Sequence, residues 1–225
     1  MALSLGGFLV TAALAGHHPS TLDLRGASEL SASKGSAWFQ LAKAVSLMGS
    51  GVVVGLLAVG FGGFVLWRTR EVFIAAAVPV AAAGAGAVEL VTKHVVQRPR
   101  PLSSALTGES GYGFPSGHTT GFTALVVATV VVLAILGAGG RGGLLWRLGA
   151  GAAALAVGLS RIVVGAHWVT DIVGGLLLGT ALGLAVPLVA RRASLLAPRM
   201  KHRLVRGQGL SQSRGAPAAQ TTWAD

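Results

Sequence analysis

Three short polar segments interrupt a chain that is otherwise mostly apolar, and their residue types suit the chemistry of phosphate. They are "KHVVQRPRP" at positions 93–101, "PSGH" at 115–118 and "SRIVVGAHWVTD" at 160–171. Together they combine cations, histidines, hydroxyl groups, a glycine and one carboxylate. The candidate site residues in these segments are Lys93, Arg100, Ser116, Gly117, His118, Ser160, Arg161, His167 and Asp171.

The cations and the "PSGH" segment predict an anion-binding pocket. Lys93, Arg100 and Arg161 supply three positive charges, and two of them are planar guanidinium groups that bind phosphate oxygens in bidentate fashion. Backbone amides near Ser116 and Gly117, at the start of a predicted helix, add donors for an anion, and glycine lets the backbone approach closely. We therefore expect a phosphate group as the ligand.

The two histidines have types and spacing that suit an acid and a nucleophile. Imidazole is largely neutral near pH 7 and can act in either role, so His118 and His167 can divide the work. His167 and Asp171 are four residues apart, which places them on one face of the predicted sixth helix. The carboxylate can then accept a hydrogen bond from one ring nitrogen and leave the other nitrogen free for attack.

The elements that carry these segments are predicted to cross a membrane. The chain of 225 residues is 52% hydrophobic and 11% charged, with a mean hydropathy of +0.70, which is outside the range of soluble domains. We expect an all-α bundle of six transmembrane helices, each of about 20 residues. The predicted spans are approximately 2–16, 41–67, 72–91, 116–136, 144–159 and 171–189.

This arrangement predicts three regions and an orientation. Residues 1–40 hold the short first span and an aqueous outer loop, 41–190 the catalytic membrane domain, and 191–225 a basic, disordered tail. Because Lys and Arg concentrate in the loops after the second and fourth spans and in the tail, both termini are assigned to the cytoplasm. The three polar segments then meet at the outer face. Topology and anionic lipid account for the net charge of +11, which argues against a nucleic-acid partner.

The pattern K-x6-R-P, P-S-G-H and S-R-x5-H-x3-D resembles the type 2 phosphatidic acid phosphatase family, which shares a core with the vanadium haloperoxidases. The resemblance covers roughly residues 40–190. It implies that His167 forms a phosphohistidine, that Asp171 orients His167, and that His118 protonates the leaving oxygen. It also implies that catalysis needs no metal ion or other cofactor. The phosphate-binding set it implies is Lys93, Arg100, Ser116, Gly117, Ser160 and Arg161.

The resulting hypothesis is a phosphatase in a bacterial plasma membrane, acting on a lipid phosphate or pyrophosphate in the bilayer. Undecaprenyl pyrophosphate is the first substrate considered, with phosphatidic acid, diacylglycerol pyrophosphate and phosphatidylglycerol phosphate as alternatives. A lipid phosphotransferase and a non-catalytic phosphate-binding or transport protein stay open as other functions. Glu89, four residues before Lys93, predicts an ion pair with it. Arg98 and Glu109 lie in the loop over the pocket and are candidates for tuning substrate choice.

Overall fold

The computed structural model describes residues 1–16, 18–138 and 143–213, and every regular element in these ranges is helical. A short 3-10 helix (Leu102–Thr107) lies between α5 and α6. The α-helices are α1 (Ala2–Ala15), α2 (Thr21–Leu30), α3 (Ala37–Leu47), α4 (Gly51–Thr69), α5 (Val72–Val96), α6 (Gly117–Ile135), α7 (Gly143–Val163) and α8 (Val169–Ser213).

Five helices within the described ranges are long and apolar enough to cross a membrane: α4, α5, α6, α7 and the Val169–Ala197 part of α8. The first predicted span corresponds to α1, which has 14 residues and a length of about 21 Å, against roughly 30 Å of hydrocarbon. It packs along α8, and its Phe8 ring stacks on Phe114 with centroids 6.0 Å apart. The all-α membrane bundle is confirmed, whereas the count of six spans and the orientation stay predictions.

The predicted aqueous loop at 17–40 is wrong in part, because it contains α2 and the beginning of α3. Serines that suggest turns in the sequence act here as helix caps. Ser20 and Asp23 form a reciprocal capping box at the start of α2, with the Ser20 amide donating to Asp23 Oδ2 over 2.9 Å. Ser36 caps α3 through its side chain, with its hydroxyl accepting from the Phe39 amide at 3.1 Å.

The predicted second span, 41–67, is also divided, because α3 ends at Leu47 and α4 begins at Gly51. Ser50 caps α4 by accepting a hydrogen bond from the Val53 amide at 3.4 Å. Gly49 lies against the first turn of α6, where an added Cβ would be 2.9 Å from the His118 carbonyl oxygen. The break thus places the α3–α4 junction against a candidate catalytic residue.

The helices that carry the polar segments extend further than predicted. α5 continues past the predicted end at 91 to Val96, and α7 continues past 159 to Val163, so that Lys93 and Arg161 lie inside helices. α8 continues past 189 to Ser213, through a segment for which a disordered tail was predicted. Leu, Ala, Arg and Met favour helix, and extending an existing helix costs little compared with nucleating one. Residues 214–225 of the predicted tail lie outside the described residues.

The α6–α8 contact is the close approach that sets the position of the site. Along α8, Gly175, Gly179 and Gly183 face α6 at intervals of four residues. An added Cβ at Gly179 would lie 2.5 Å from the Thr120 carbonyl oxygen, so only glycine permits this distance. The beginnings of α6 and α8 are thereby held side by side, and the Ser116 amide donates a hydrogen bond to the Asp171 carbonyl oxygen at 3.1 Å.

Candidate active site

The three polar segments meet at one end of the bundle, as the sequence predicted. Lys93 comes from the last turn of α5 and Arg100 from the loop that follows it. His118 comes from the first turn of α6 and Arg161 from the last turn of α7, and His167 lies between α7 and α8. Side chains that are 60 to 70 residues apart in sequence are thus within hydrogen-bonding distance, as Arg100 and His167 are.

His167 and Asp171 form the predicted pair, with Nδ1 of the imidazole 3.2 Å from Oδ2 of the carboxylate. His167 is not on the helix, however, because α8 begins only at Val169. It lies in a turn in which the amides of Ala166 and His167 both donate to the Arg161 carbonyl oxygen, at 2.9 and 3.3 Å. The Asp171 carboxylate also accepts from the Trp168 amide at 3.0 Å, so it caps α8 while it holds the imidazole.

The contacts of His167 define its proton positions. Arg100 donates from Nη1 to His167 Nε2 over 3.0 Å, and a guanidinium has no acceptor, so Nε2 is the unprotonated nitrogen. The proton is therefore on Nδ1 and is donated to Asp171. Burial lowers the pKa of His167 to about 3, against the opposing effect of Asp171. The imidazole is consequently neutral near pH 7, and its Nε2 lone pair faces the arginines.

A carboxylate already lies between the two arginines. Glu109 Oε2 accepts from Arg100 Nη1 at 2.7 Å, and Glu109 Oε1 accepts from Arg161 Nη2. The same carboxylate lies 3.9 Å from Nε2 of His167. Arg161 also donates to Ser46 Oγ on α3, while its buried Nε has no hydrogen-bond partner among the described residues. This cluster therefore binds an anion next to a neutral imidazole nitrogen.

Lys93 forms an ion pair that lies against the first turn of α6. Its Nζ is 2.5 Å from Glu89 Oε1, which confirms the predicted ion pair. An added Cβ on Gly117 would lie 2.8 Å from the same carboxylate oxygen, so the pair is packed against the beginning of α6. Among the walls of one cavity of about 420 Å³ are His118, Arg161 and Glu109. The candidate acid therefore borders the same space as Arg161 and the carboxylate that Arg161 binds.

The two serines of the predicted phosphate-binding set have other partners. Ser116 Oγ accepts a hydrogen bond from Thr119 Oγ1 at 3.0 Å. The Ser116 amide donates to the Asp171 carbonyl oxygen, so that amide is not free to bind an anion. Ser160 Oγ donates to the Val157 carbonyl one turn earlier in α7, at 2.7 Å. The first amides of α6, at Gly117 and His118, have no partner within the helix and are the better anion donors. A role for either serine in phosphate binding stays a prediction.

The family model of the PAP2 superfamily matches residues 74–194, which is more than half of the chain. The chain belongs to the PAP2 superfamily. The matched residues include all three polar segments and extend from α5 to α8. With five apolar helices of spanning length among the described residues, this PAP2 chain is an integral membrane protein.

This PAP2 chain is similar in sequence to a curated relative from Bacillus subtilis and in fold to a solved structure from the same organism. Phosphatidylglycerophosphatase B of strain 168 is 35% identical over 94 residues, which are 41% of this chain and 46% of the relative. The match thus spans about half the length of that relative. The crystal structure of a transmembrane PAP2 type phosphatidylglycerolphosphate phosphatase superposes with a TM-score of 0.76 at 22% identity, covering 85% of this chain and 96% of the other. This second likeness shows that the fold is shared.

Several partners of the site in this PAP2 chain were not predicted from sequence. Asp23 contacts Arg98, Ser46 contacts Arg161, and Thr170 contacts both Asp23 and Arg98. Asp23 and Ser46 lie outside the residues that the family model matches. The only sequence signal for Asp23 is its spacing of three from Ser20, which indicates a capping box and gives no information about a distant arginine.

Proposed function

We propose that this protein is a membrane phosphatase that hydrolyses a lipid phosphate or pyrophosphate through a phosphohistidine at His167. The observation that carries the proposal is the Glu109 carboxylate, held by Arg100 and Arg161 and 3.9 Å from His167 Nε2. A phosphate group bound by the same two arginines would have its phosphorus beside that nitrogen. Arg161 Nε, which is buried and has no partner in the part of the chain that the structure describes, gives such a group a further donor.

The proposed reaction has two steps. In the first, the His167 Nε2 lone pair attacks phosphorus, the bond from phosphorus to the leaving oxygen breaks, and His118 gives its proton to that oxygen. Asp171 accepts the hydrogen bond from Nδ1–H and stabilises the positive charge that develops on the ring. In the second, His118 takes a proton from water, the water oxygen attacks phosphorus, and the bond to Nε2 breaks. Arg100, Arg161 and Lys93 stabilise the charge on the transferring group in both steps.

The surroundings of the cavity support a lipid substrate. Leu47 lines the cavity that contains His118, and the next residue, Met48, lines a separate apolar groove of about 630 Å³ between α4, α6 and α7. Phe122, one turn after His118 in α6, lines the same groove. A substrate with its phosphate in the polar cavity therefore has an adjacent apolar surface for its hydrocarbon chain.

The same cavity favours a substrate with two phosphate groups. Lys34 and Lys43 line it together with Gln40, on the side of α3, in addition to the arginine at the reacting centre. Two further cations suit undecaprenyl pyrophosphate or phosphatidylglycerol phosphate better than phosphatidic acid, which has a single phosphate. The name of the Bacillus subtilis relative, phosphatidylglycerophosphatase B, agrees with the second of these lipids. We propose that the site faces the outer leaflet, with both termini in the cytoplasm.

The test is phosphate release by the detergent-solubilised protein in EDTA, from undecaprenyl pyrophosphate, phosphatidylglycerol phosphate and phosphatidic acid. We expect release in wild type and loss of at least about 1,000-fold in His167→Asn and His118→Asn, with a trapped phosphoenzyme missing only where His167 is changed. His94→Asn is the matched control, because His94 is exposed and its Nδ1 contacts only the Leu90 carbonyl among the described contacts. Full activity in His167→Asn would refute the nucleophile.

The same assay separates the alternative functions. A phosphotransferase would move the phosphate to an added acceptor alcohol such as glycerol, so organic phosphate would replace inorganic phosphate among the products. A binding or transport protein would bind the lipid and release neither product. The Lys34→Gln, Lys43→Gln double variant is expected to lose about 10-fold in kcat/KM on the two lipids with two phosphates and little on phosphatidic acid.

A further inference from the structure

A buried chain of charges continues behind Asp171, away from the cavity. Arg98 is 1% exposed, and its Nη1 donates to Asp171 Oδ1 over 2.6 Å and to Thr170 Oγ1 over 2.6 Å. Its Nη2 donates to Asp23 Oδ2 over 2.7 Å, and the Asp23 side chain is fully buried. The guanidinium therefore joins the carboxylate that holds His167 to a second carboxylate on α2.

Asp23 is held as an ionised group by several donors. The Ser20 amide and hydroxyl donate to Oδ2 at 2.9 and 2.8 Å, and the Thr170 amide and hydroxyl both donate to Oδ1 at 2.9 Å. Burial alone would raise the pKa of Asp23, but the hydrogen bonds from Thr170, Ser20 and Arg98 outweigh it and lower that pKa. A buried carboxylate with this many donors is a fixed negative charge.

The alternating charges of Asp23, Arg98 and Asp171 affect the nucleophile, His167. A guanidinium beside Asp171 with no other counter-ion would draw the Asp171 charge towards itself and weaken the hydrogen bond to His167. Asp23 neutralises Arg98 from the other side, so Asp171 keeps its charge for the imidazole. The other charged groups around His167 are Arg100, Glu109 and Arg161. Arg100 donates to the ring at Nε2, the Glu109 carboxylate lies 3.9 Å from the same nitrogen, and Arg161 acts on the ring through its charge.

We infer that Asp23 is a positioning residue of the reaction, acting through Arg98 on the pair formed by Asp171 and His167. It touches neither the cavity nor His167, and it belongs to α2, which lies outside residues 74–194 of the family match. The inference rests on the proposed function, because it requires His167 to be the nucleophile.

Asp23→Asn tests the inference, because it removes the negative charge of the side chain and keeps its size and shape. With Arg98 no longer neutralised, we expect kcat to fall about 10-fold or more while KM for the lipid stays within about two-fold, because the cavity is unchanged. A purely structural role would instead reduce the amount of folded protein and leave the kcat of the folded fraction unchanged.

Ser20→Ala is the matched control. It removes two hydrogen bonds to Asp23 and the cap of α2, but it leaves every charge in place. We expect a lower Tm with kcat within about two-fold of wild type, since one cap is a modest stability effect. A wild-type kcat in Asp23→Asn would overturn the inference. So would a loss of activity in both variants that is fully explained by the smaller amount of folded protein.

Arg98→Lys provides a second test if Asp23→Asn does not fold. A lysine has one point charge and no fork, so it cannot bridge the two carboxylates as Arg98 does. We expect the same loss of kcat with little change in KM, and an unchanged kcat would overturn the inference. His167→Asn in parallel separates the two proposals: activity in that variant contradicts the nucleophile, whereas an inactive His167→Asn beside a fully active Asp23→Asn contradicts only the role of Asp23.

Discussion

Glu109→Gln is expected to strengthen the binding of phosphate to the cavity. The Glu109 carboxylate binds Arg100 at 2.7 Å and also binds Arg161, so a phosphate group has to displace it from both arginines. The Glu109 side chain is 23% exposed, and the arginines are 9% and 4% exposed. A neutral amide presents one acceptor oxygen and no charge, so it competes much less well for the two guanidinium groups.

The size of the effect follows from the two contacts. A hydrogen bond between charged groups contributes about 1.5–3 kcal/mol when buried, and the partial exposure of Glu109 reduces this to roughly 1 kcal/mol for each contact. Losing both contacts lowers the cost of displacement by about 2 kcal/mol, which corresponds to roughly 30-fold in affinity. We therefore expect the inhibition constant of inorganic phosphate to fall about 10- to 30-fold and KM for the lipid to fall with it. kcat should change little, because His167 and His118 are retained.

The assay is product inhibition by inorganic phosphate at fixed ionic strength, with initial rates measured on one lipid substrate. Glu29→Gln, a change of the same kind at an exposed position on α2, is the control for loss of one negative charge. An inhibition constant that is unchanged in Glu109→Gln would show that the carboxylate does not compete with phosphate. A higher constant would show that Glu109 instead organises the two arginines for binding, and the reasoning would be refuted.

Three further predictions concern the arginine fork, pH and topology. Arg100→Lys should lower kcat/KM about 100-fold, because Arg100 contacts Glu109, the Ala166 carbonyl and His167 Nε2 from Nη1 and the Gly111 carbonyl from Nε, and one ammonium group cannot reproduce these separated donors; wild-type kinetics would contradict this geometry. The pKa of His167 is about 3 in the folded protein and about 6.5 unfolded, so the unfolded state binds more protons between these values and stability falls as pH falls through that window. Tm in detergent should therefore decrease less between pH 6.5 and 4.5 in His167→Asn than in wild type, and equal slopes would count against a buried neutral imidazole. Reporter fusions after Arg70 and after Tyr112 should report opposite sides of the membrane, and a same-side result would reject the predicted orientation.

Much of the site was predictable because its residues have fixed types and short spacings. Lys93 with Arg100, and His167 with Asp171, are separated by seven and four residues, so local geometry alone brings each pair to one place. The apolar runs that carry them predicted α4 to α8, with errors mainly at the ends. Because a membrane permits few kinds of spanning structure, the apolar runs of the sequence identify most of these helices.

The unpredicted parts depend on contacts between distant segments. Asp23 and Arg98 are 75 residues apart and meet only because α2 docks on the beginning of α8. The α3–α4 break needs a glycine at position 49 because His118 lies against it, and this neighbour is not visible in the local pattern. Ser160 fits the motif by type, yet its hydroxyl bonds within its own helix. Spacing thus predicts which residues lie near one another, whereas packing decides which atoms meet.

The charge balance of the site indicates which carboxylate a substrate replaces. Arg98 is neutralised by Asp23 and Asp171, Lys93 by Glu89, and the remaining two arginines by Glu109. Asp23, Asp171 and Glu89 belong to helices and are 0%, 0% and 13% exposed, so moving any of them would disturb packed structure. Glu109 is 23% exposed and belongs to the loop before α6, where displacement leaves the helices in place. A phosphate dianion that enters the cavity is therefore expected to replace Glu109 and to bind Arg100 and Arg161, the two arginines that Glu109 contacts.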